Sequence, residues 1–133
     1  MITIYKNQEN KLVLLDKPTP GCWIKAINPT PEEIEQLQAI GIPNDYINYP
    51  LDLDERSRTE RENGELLIIL RIPHFQGETS DIPYITIPLG IIVTEQYVVT
   101  VCKYESDILN EFTNRRVKGL VTAKRLRFVL MLL

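Results

Sequence analysis

The stretch from Tyr84 to Cys102, YITIPLGIIVTEQYVVTVC, decides the fold of this 133-residue chain. Nine of its nineteen residues are Ile, Leu or Val, and the polar break Thr94–Gln96 divides it into two apolar halves. β-Branched and aromatic residues on both sides of a short polar link predict a β-hairpin. Pro83 and Pro88 have no backbone N–H, so we expect them at a strand start, an edge or a bulge. Because both faces are apolar, the hairpin is predicted to form a sheet centre that helices cover.

The overall composition indicates an ordinary globular domain. The chain is 44% hydrophobic and 25% charged with a formal net charge of −3, and its length suits one domain that needs neither metal nor disulfide. The negative charge gives no argument for nucleic-acid binding. No signal peptide begins the chain, and no run approaches the ~20 apolar residues of a membrane helix. Cys22 and Cys102 lie in apolar segments without C-x-x-C spacing, which predicts two buried, reduced thiols in a cytosolic protein, with a disulfide as the alternative.

Strand patterns continue on both sides of the hairpin. Asn63–Gly64 is the strongest turn signal and is expected to open a second hairpin. The apolar segment Leu66–Ile72 that follows is expected to be a central strand, and the polar segment His74–Asp81 is expected to be a loop. Further short strands are predicted at Met1–Tyr5, Lys11–Leu15 and Cys22–Ile27, and the charged connector Leu51–Arg61 has room for a short edge strand.

One helix has signals for both its start and its end in the sequence. Thr30 is a natural N-cap, Pro31 suits the first helical position, Glu33 completes a capping box and Gly41 ends the helix. Its apolar stripe consists of Ile34, Leu37 and Ile40. The pattern therefore predicts that this helix packs on one face of the sheet through Ile34 and Leu37.

Other helices are predicted from weaker signals. A short helix begins near Pro43, carries Tyr46 and Ile47 inward, and ends near Pro50 because the residue before a proline avoids helical angles. Ser106 is expected to cap a later helix whose packing residues are Ile108, Leu109 and Phe112. A last helix from about Thr122 to Leu133 places Leu126, Val129, Leu130 and Leu133 on one stripe, and is interpreted as the start of a longer helix.

Charge is concentrated in two segments of opposite sign. Between Glu32 and Glu65 there are ten acidic and three basic residues, whereas Arg115–Leu133 carries six basic residues and no acidic one. Two solvated faces are the simple interpretation. The sharper hypothesis is that the basic end faces a membrane or an acidic surface of a partner.

Catalytic motifs are absent from the sequence. It has no nucleophile elbow, phosphate loop, H-E-x-x-H or dinucleotide fingerprint, so we do not expect an enzyme. His74 is the only histidine and is interpreted as an exposed loop residue. Asp52, Asp54 and Glu55 are candidate oxygen ligands for Mg²⁺ or Ca²⁺, although their spacing lacks the glycine and later glutamate of a calcium loop and solvated carboxylates are the simpler interpretation. The residues alone thus indicate a cytosolic α/β binding or regulatory domain.

The order of several motifs resembles that of a known family. The segment Trp23–Thr30 (WIKAINPT), followed by Glu32 and Glu33, is similar to the opening of the CorA-like magnesium transporter family. Leu51–Glu60 resembles the charged connector that follows that family's short second helix. The apolar segments Leu66–Pro73, Leu89–Thr94 and Val98–Val101 resemble its next strands, so that the resemblance covers about residues 1–133 in order.

This resemblance implies the cytoplasmic N-terminal domain of a divalent-cation channel, truncated at the start of a long helix. Its implied fold is an α/β (α+β) domain with a mixed parallel and antiparallel sheet flanked by helices. The domain would not itself transport ions, since the family's Gly-Met-Asn pore signature and membrane helices are not in this sequence. The implied partners are other copies of the chain, a homopentamer in the full-length family, and its own membrane domain at the cytoplasmic face of the cell membrane.

The family's regulatory metal site is not reproduced in this sequence. The resemblance implies an aspartate near the end of the short second helix, where this chain has Asn48, Tyr49 and Pro50. Asp52 or Asp54 is the nearest substitute, and Mg²⁺ is the one candidate cofactor. Two functions therefore stay open. The first is the regulatory domain of a CorA-like Mg²⁺ transporter, and the second is a free-standing soluble α/β module that binds a small ligand or a protein.

Overall fold

The structure is a computed structural model that describes residues 1–8, 11–79 and 81–113, with side chains described as far as residue 110. The predicted helix from Thr122 to Leu133, the basic segment that starts at Arg115 and the predicted packing of Phe112 lie outside the described residues and side chains.

Seven strands form one mixed sheet in the described part of the chain. They are β1 (Ile2–Gln8), β2 (Lys11–Leu15), β3 (Cys22–Ile27), β4 (Arg58–Glu62), β5 (Glu65–Phe75), β6 (Tyr84–Val93) and β7 (Tyr97–Cys102). In space they follow the order β2-β1-β3-β7-β6-β5-β4, with β3 and β7 parallel and every other neighbouring pair antiparallel. The expected mixed α+β architecture is confirmed.

The predicted central hairpin is the antiparallel pair β6 and β7. Its register ends with Leu89 opposite Cys102, and at the turn the Thr94 N–H donates to the Tyr97 carbonyl at 2.9 Å. Pro88 lies within β6, one position beyond the last pair with β7, where the ladder between these strands has ended. A proline is therefore tolerated inside this strand because β7 requires no N–H from it.

Strand β3 joins the N-terminal strands to this hairpin. It pairs in parallel with β7 from Cys22 opposite Tyr97 to Ile27 opposite Cys102. Every residue of β3 and β7 is buried, as expected for strands that are covered on both faces. The parallel pairing places β7 in the middle of the sheet.

The second predicted hairpin is also confirmed, with one correction. Asn63 and Gly64 have φ values of 50° and 85°, which a two-residue hairpin turn requires, and they connect the charged edge strand β4 to β5. The loop predicted from His74 to Asp81 is wrong at its start, since β5 continues to Phe75 and pairs His74 with Ile85. Polar residues occur here because this end of the hairpin lies at the surface, although its backbone remains paired.

Three helices are found where the sequence predicts them within the described residues. They are α1 (Pro31–Ala39), α2 (Asn44–Asn48) and α3 (Asp107–Thr113), with a 3₁₀ turn at Tyr49–Leu51. At the start of α1 the Glu33 N–H donates to Thr30 Oγ1 at 3.2 Å, and the Thr30 N–H donates to Glu33 Oε1 at 3.0 Å. Gly41 follows with φ of 94°, and Ser106 Oγ accepts from the Ile108 N–H at 3.2 Å at the start of α3.

Each face of the sheet carries its own apolar core. On one face, helices α1 and α2 and the segment between them contribute Leu37, Ile42, Tyr46 and Ile47 against Ile24, Leu67, Ile92 and Val99 of the strands. On the other face, Leu109 of α3 packs with Trp23, Leu89, Ile91 and Val98. The predicted packing of α1 through Leu37 is confirmed, with Ile34 at the margin of the same core.

The 3₁₀ turn makes a very close contact with the sheet at a glycine. A Cβ atom added to Gly90 of β6 would lie 2.2 Å from Cγ of Pro50 and 2.9 Å from its Cβ. Only a residue without a side chain fits at this position, so Gly90 allows the connector after α2 to rest on the sheet.

Both cysteines are free, buried thiols, as predicted. Burial raises the pKa of Cys22 and that of Cys102, so neither has the lowered pKa of a reactive thiol. The longest helix in the described ranges has nine residues, far fewer than a bilayer crossing needs.

Candidate metal site and its surroundings

The three candidate metal ligands lie in one turn between the 3₁₀ turn and β4. Asp52 begins the turn, and its Oδ1 accepts a hydrogen bond of 3.0 Å from the Asp54 N–H. The Glu55 N–H donates to the Asp52 carbonyl at 3.0 Å. Asp52 and Asp54 are exposed and Glu55 is half-buried. The three residues therefore lie close together in the structure as they do in the sequence. One carboxylate oxygen of Asp52 already accepts a backbone hydrogen bond.

Glu55 is held by an arginine of the neighbouring strand. Its Oε1 forms an ion pair with Nη1 of Arg58. The Arg58 guanidinium also lies over the Tyr49 ring, 4.6 Å from the centroid, and its Nε is 3.8 Å from Oε1 of Glu60. A carboxylate engaged in this way is a poorer metal ligand, because a cation must compete with the guanidinium for the same oxygen.

A second arginine fixes the backbone of the same turn. Nη1 of Arg71, on β5, donates to the carbonyls of Leu53 at 3.0 Å and Glu55 at 2.8 Å. Its Nε donates to Oγ1 of Thr86 at 3.0 Å, and its Nη2 donates to the Thr86 carbonyl at 2.6 Å. One guanidinium thus joins the connector to two strands of the sheet. Sequence reasoning missed this role, since β4 and the first half of β5 separate Arg71 from the turn.

The donor set fits a preassembled metal site poorly. Among the residues that the structure describes, no three His, Cys, Asp or Glu side chains are grouped so that they could hold a metal ion. Mg²⁺ requires near-octahedral oxygen ligands and commonly keeps several waters around one or two carboxylates. Asp52 and Asp54 retain exposed carboxylate oxygens for such a water-mediated contact, whereas Glu55 is engaged by Arg58. The assignment of Asp52, Asp54 and Glu55 stays a prediction.

The positions that replace the expected aspartate have structural roles. Asn48 is the last residue of α2, Tyr49 supplies the ring beneath Arg58, and Pro50 is buried against Gly90. None of the three carries a carboxylate. This part of the chain therefore anchors the connector and offers no charged metal ligand.

An acidic surface lies beside α2. Burial raises the pKa of Tyr46, and the negative charges of Glu62, Glu60 and Glu65 raise it further. The Tyr46 hydroxyl is buried and has no hydrogen-bond partner within the described residues. The sequence signalled the acidic segment but not the buried phenol within it.

A buried lysine on the opposite face was not anticipated. Lys25 of β3 is 5% exposed, and its Nζ lies 3.3 Å from Oδ1 of Asn110 and 3.5 Å from Oε2 of Glu105. Next to it, Nε1 of Trp23 donates to Oγ1 of Thr100 at 2.9 Å. The contacts of Lys25 tie α3 and the residues just before it to the middle of the sheet, and the Trp23–Thr100 bond joins β3 to β7. The available signal was a lysine within the apolar strand Cys22–Ile27.

Two aromatic pairs lie at the far end of the β5–β6 hairpin, and one of them contains the single histidine. The His74 ring stacks on Tyr104 with 4.7 Å between centroids, and Phe75 contacts Tyr84 at 5.1 Å. His74 is half-buried, so it is not the exposed loop residue that the sequence suggested. The ring partner of His74 in the described residues is the aromatic side chain of Tyr104.

Comparison with known proteins gives one family whose model matches most of the chain. The model of a family described as CorA-like Mg²⁺ transporter protein matches residues 20–130. No curated protein matches the chain at a significant level.

Solved structures give the same fold. The soluble domain of CorA from Methanocaldococcus jannaschii is similar with a TM-score of 0.76 and 22% identity over 99% of this chain and 54% of that one. The complete CorA magnesium transporter of the same organism has a TM-score of 0.71 and 21% identity over 86% of this chain and 36% of that one. The ZntB cytoplasmic domain from Vibrio parahaemolyticus has a TM-score of 0.71 and 14% identity over 98% of this chain and 56% of that one. The chain thus spans between about a third and somewhat more than half of the length of these proteins.

Proposed function

Because the chain belongs to the CorA-like Mg²⁺ transporter family, we propose that it is a cytosolic domain of a divalent-cation transporter and acts there as a regulatory domain. The observation that carries the proposal is the family match over residues 20–130, which includes β3, β7 and the helices that cover them. The similarity of the whole seven-stranded sheet to soluble and cytoplasmic domains of CorA and ZntB supports it.

The regulatory part of the proposal concerns the turn that contains Asp52, Asp54 and Glu55. A turn can report on cation concentration only if its carboxylates are held in place, and Arg58 and Arg71 supply that support. Two exposed aspartates on one chain offer few ligands to Mg²⁺. We therefore assign any strong cation binding to an arrangement in which a second chain completes the ligand set.

The proposed partners are other copies of the chain and a membrane domain. A ring of five copies is the arrangement that the resemblance implies for the full-length family. Nucleic acid is not a proposed partner, because the segment from Glu32 to Glu65 is strongly acidic and would repel phosphates. The substrate of the whole transporter is proposed to be Mg²⁺ or a related divalent cation.

The proposal can be tested through ion flux. The complete protein translated from the gene that encodes this chain is reconstituted in liposomes that contain a Mg²⁺-sensitive dye. We expect Mg²⁺ entry that slows as Mg²⁺ on the cytosolic side rises. Asp52→Asn with Asp54→Asn should weaken that inhibition without abolishing entry. Unchanged inhibition in this variant would contradict the regulatory role of the turn, whereas absence of flux in the unsubstituted protein would contradict the transporter assignment.

The alternative function, a free-standing ligand- or protein-binding module, has a separate test. The reading frame beyond Leu133 should encode two apolar spans of ~20 residues if the transporter assignment is correct. A gene that encodes no such spans would favour the alternative.

A further inference from the structure

A lysine ammonium is buried beneath helix α3. Lys25 lies within β3, between β1 and β7, and only 5% of its surface is exposed. Its Nζ atom is 3.5 Å from Oε2 of Glu105 and 3.3 Å from Oδ1 of Asn110. A charged group that leaves water requires a counter-charge and hydrogen-bond acceptors, because burial without them is very unfavourable. These two contacts therefore allow α3 to cover Lys25.

Both partners of Lys25 belong to one segment of the chain. Glu105 lies two residues before the start of α3 and Asn110 lies within it, whereas Lys25 belongs to a strand that is paired on both sides. If the ion pair is lost, the ammonium regains water only when the segment that covers it moves, since the strand is fixed by its two neighbours. That movement breaks no pairing between strands. The structural response to loss of the ion pair is therefore expected in α3 and not in the sheet.

Glu105 is the accessible member of the ion pair. Its side chain is 52% exposed, against 6% for the side chain of Lys25. The carboxylate can therefore be reached from solvent while the domain is folded, whereas the ammonium cannot. Once Glu105 no longer compensates Lys25, a buried charge is left without its partner, which is strongly destabilising. The pair thus makes a buried contact depend on a group at the surface.

We propose that Lys25 and Glu105 form a lock that holds α3 on the sheet, and that α3 is released as one unit when this lock opens. In the released state the seven-stranded sheet and the face that carries α1 and α2 keep their structure, while the core around Leu109 meets water. Because α3 is the last described element, the lock determines how the described sheet is connected to the chain that follows. The proposal does not depend on the transporter assignment.

The two native cysteines report on the two faces of the sheet separately. Cys102 belongs to the core that contains Leu109 of α3, whereas Cys22 belongs to the core beneath α1 and α2. Both thiols are free and 0% exposed. Release of α3 is therefore expected to expose Cys102 and to leave Cys22 covered, whereas global unfolding exposes both.

Thiol labelling of the folded chain tests the lock. Each variant is treated with iodoacetamide, and the modification of each cysteine is followed by peptide mass spectrometry. We expect Glu105→Gln to accelerate the labelling of Cys102 by about tenfold, because the pair is half exposed and weaker than a fully buried one. The rate at Cys22 should not change. Glu95→Gln, which removes an exposed carboxylate from the β6–β7 turn, is the control and should change neither rate. Unchanged labelling of Cys102 in Glu105→Gln, or equal acceleration at both cysteines, would overturn the proposal.

A second substitution distinguishes the lock from an ordinary effect on the helix. An acidic residue near the start of a helix also stabilises it through the helix dipole, and that effect does not require Lys25. In the background of Lys25→Met, which removes the buried charge, Glu105→Gln should accelerate the labelling of Cys102 by less than about twofold, since the two residues are coupled. An acceleration that persists at full size in this background would show that Glu105 acts on the helix alone and would contradict the lock.

Hydrogen exchange provides an independent readout that needs no thiol reagent and no change at Lys25. The Asn110 N–H donates to the Ser106 carbonyl at 3.0 Å in the first turn of α3, and in Glu105→Gln it should exchange about tenfold faster, because exchange requires local opening of the helix. Amides of β6 and β7 should keep their rates. Unchanged exchange at Asn110 would contradict the proposal, and so would an acceleration of the same size in β6 and β7.

Discussion

Arg71 donates a hydrogen bond of 2.8 Å from its guanidinium to the carbonyl of Glu55. With its bonds to Leu53 and Thr86, this contact fixes the carboxylate turn to the centre of the β5–β6 hairpin. The turn that carries the candidate ligands is thus held by the sheet and not only by its own backbone. Its position depends on residues far away in the sequence.

The first prediction concerns this support. Arg71→Ala should remove the bonds to the connector and lower the free energy of unfolding by about 1–2 kcal/mol, since hydrogen bonds from a charged group are strong but this one is exposed to solvent. Amide exchange in residues 52–56 should become faster. Arg61→Ala, on the exposed edge strand β4, is the control and should change neither quantity. An unchanged rate of amide exchange in Arg71→Ala would show that the turn keeps its structure without Arg71.

The second prediction concerns the contact between Gly90 and Pro50. Gly90→Ala places a methyl group within 2.2 Å of Pro50 Cγ, and overpacking of this kind costs about 1–3 kcal/mol. Pro50→Ala removes the Cγ atom, so the double variant should recover part of the loss in urea unfolding. Strictly additive losses in the double variant would mean that the two residues are not in contact.

The third prediction concerns pH. Burial alone would raise the pKa of Glu33, but hydrogen bonds from the Thr30 N–H, the N-terminal ammonium and the Ile2 N–H outweigh it and lower that pKa. A lowered pKa in the folded state contributes stability above the unfolded value, and this stability is lost as the pH falls through the folded value. Glu33→Gln should therefore destabilise the protein at neutral pH, and the difference should shrink on acidification. Urea unfolding at several pH values measures it, and a difference that does not change with pH would contradict the prediction.

The fourth prediction concerns Mg²⁺. A single chain offers Asp52 and Asp54 as exposed carboxylates, with Glu55 engaged by Arg58. We expect this chain alone to bind Mg²⁺ with a dissociation constant weaker than about 1 mM, because Mg²⁺ gives up its waters reluctantly. Titration calorimetry measures the affinity. Sub-millimolar binding that Asp52→Ala or Asp54→Ala abolishes would show that the turn is a complete site by itself.

Local signals in the sequence predicted much of the fold. The capping box of Thr30 and Glu33 and the left-handed turn at Asn63–Gly64 depend on neighbouring residues, and both are present as expected. The parallel pairing of β3 with β7 was harder to predict from local signals, since it joins Cys22 to Tyr97, far away in the sequence. Pairing patterns at such separations are set by packing on both faces and not by local preference.

The surroundings of the candidate site were harder to predict for the same reason. Three carboxylates close in sequence suggested a cation site, but the ion pair of Glu55 with Arg58 and the support from Arg71 depend on tertiary structure. The strand at His74 was misjudged because polar residues favour loops in general, whereas here the backbone is paired with Ile85. Sequence reasoning was most reliable where one element determines its own structure.

Mg²⁺ flux through the complete protein tests the central assignment most directly. The protein translated from the whole gene is placed in liposomes with a Mg²⁺-sensitive dye, and entry is followed after external Mg²⁺ is added, with protein-free liposomes as the control. Membership of the CorA-like family predicts saturable Mg²⁺ entry well above the control. A complete translation product that inserts in the liposomes and gives no divalent-cation flux above the control would contradict the assignment.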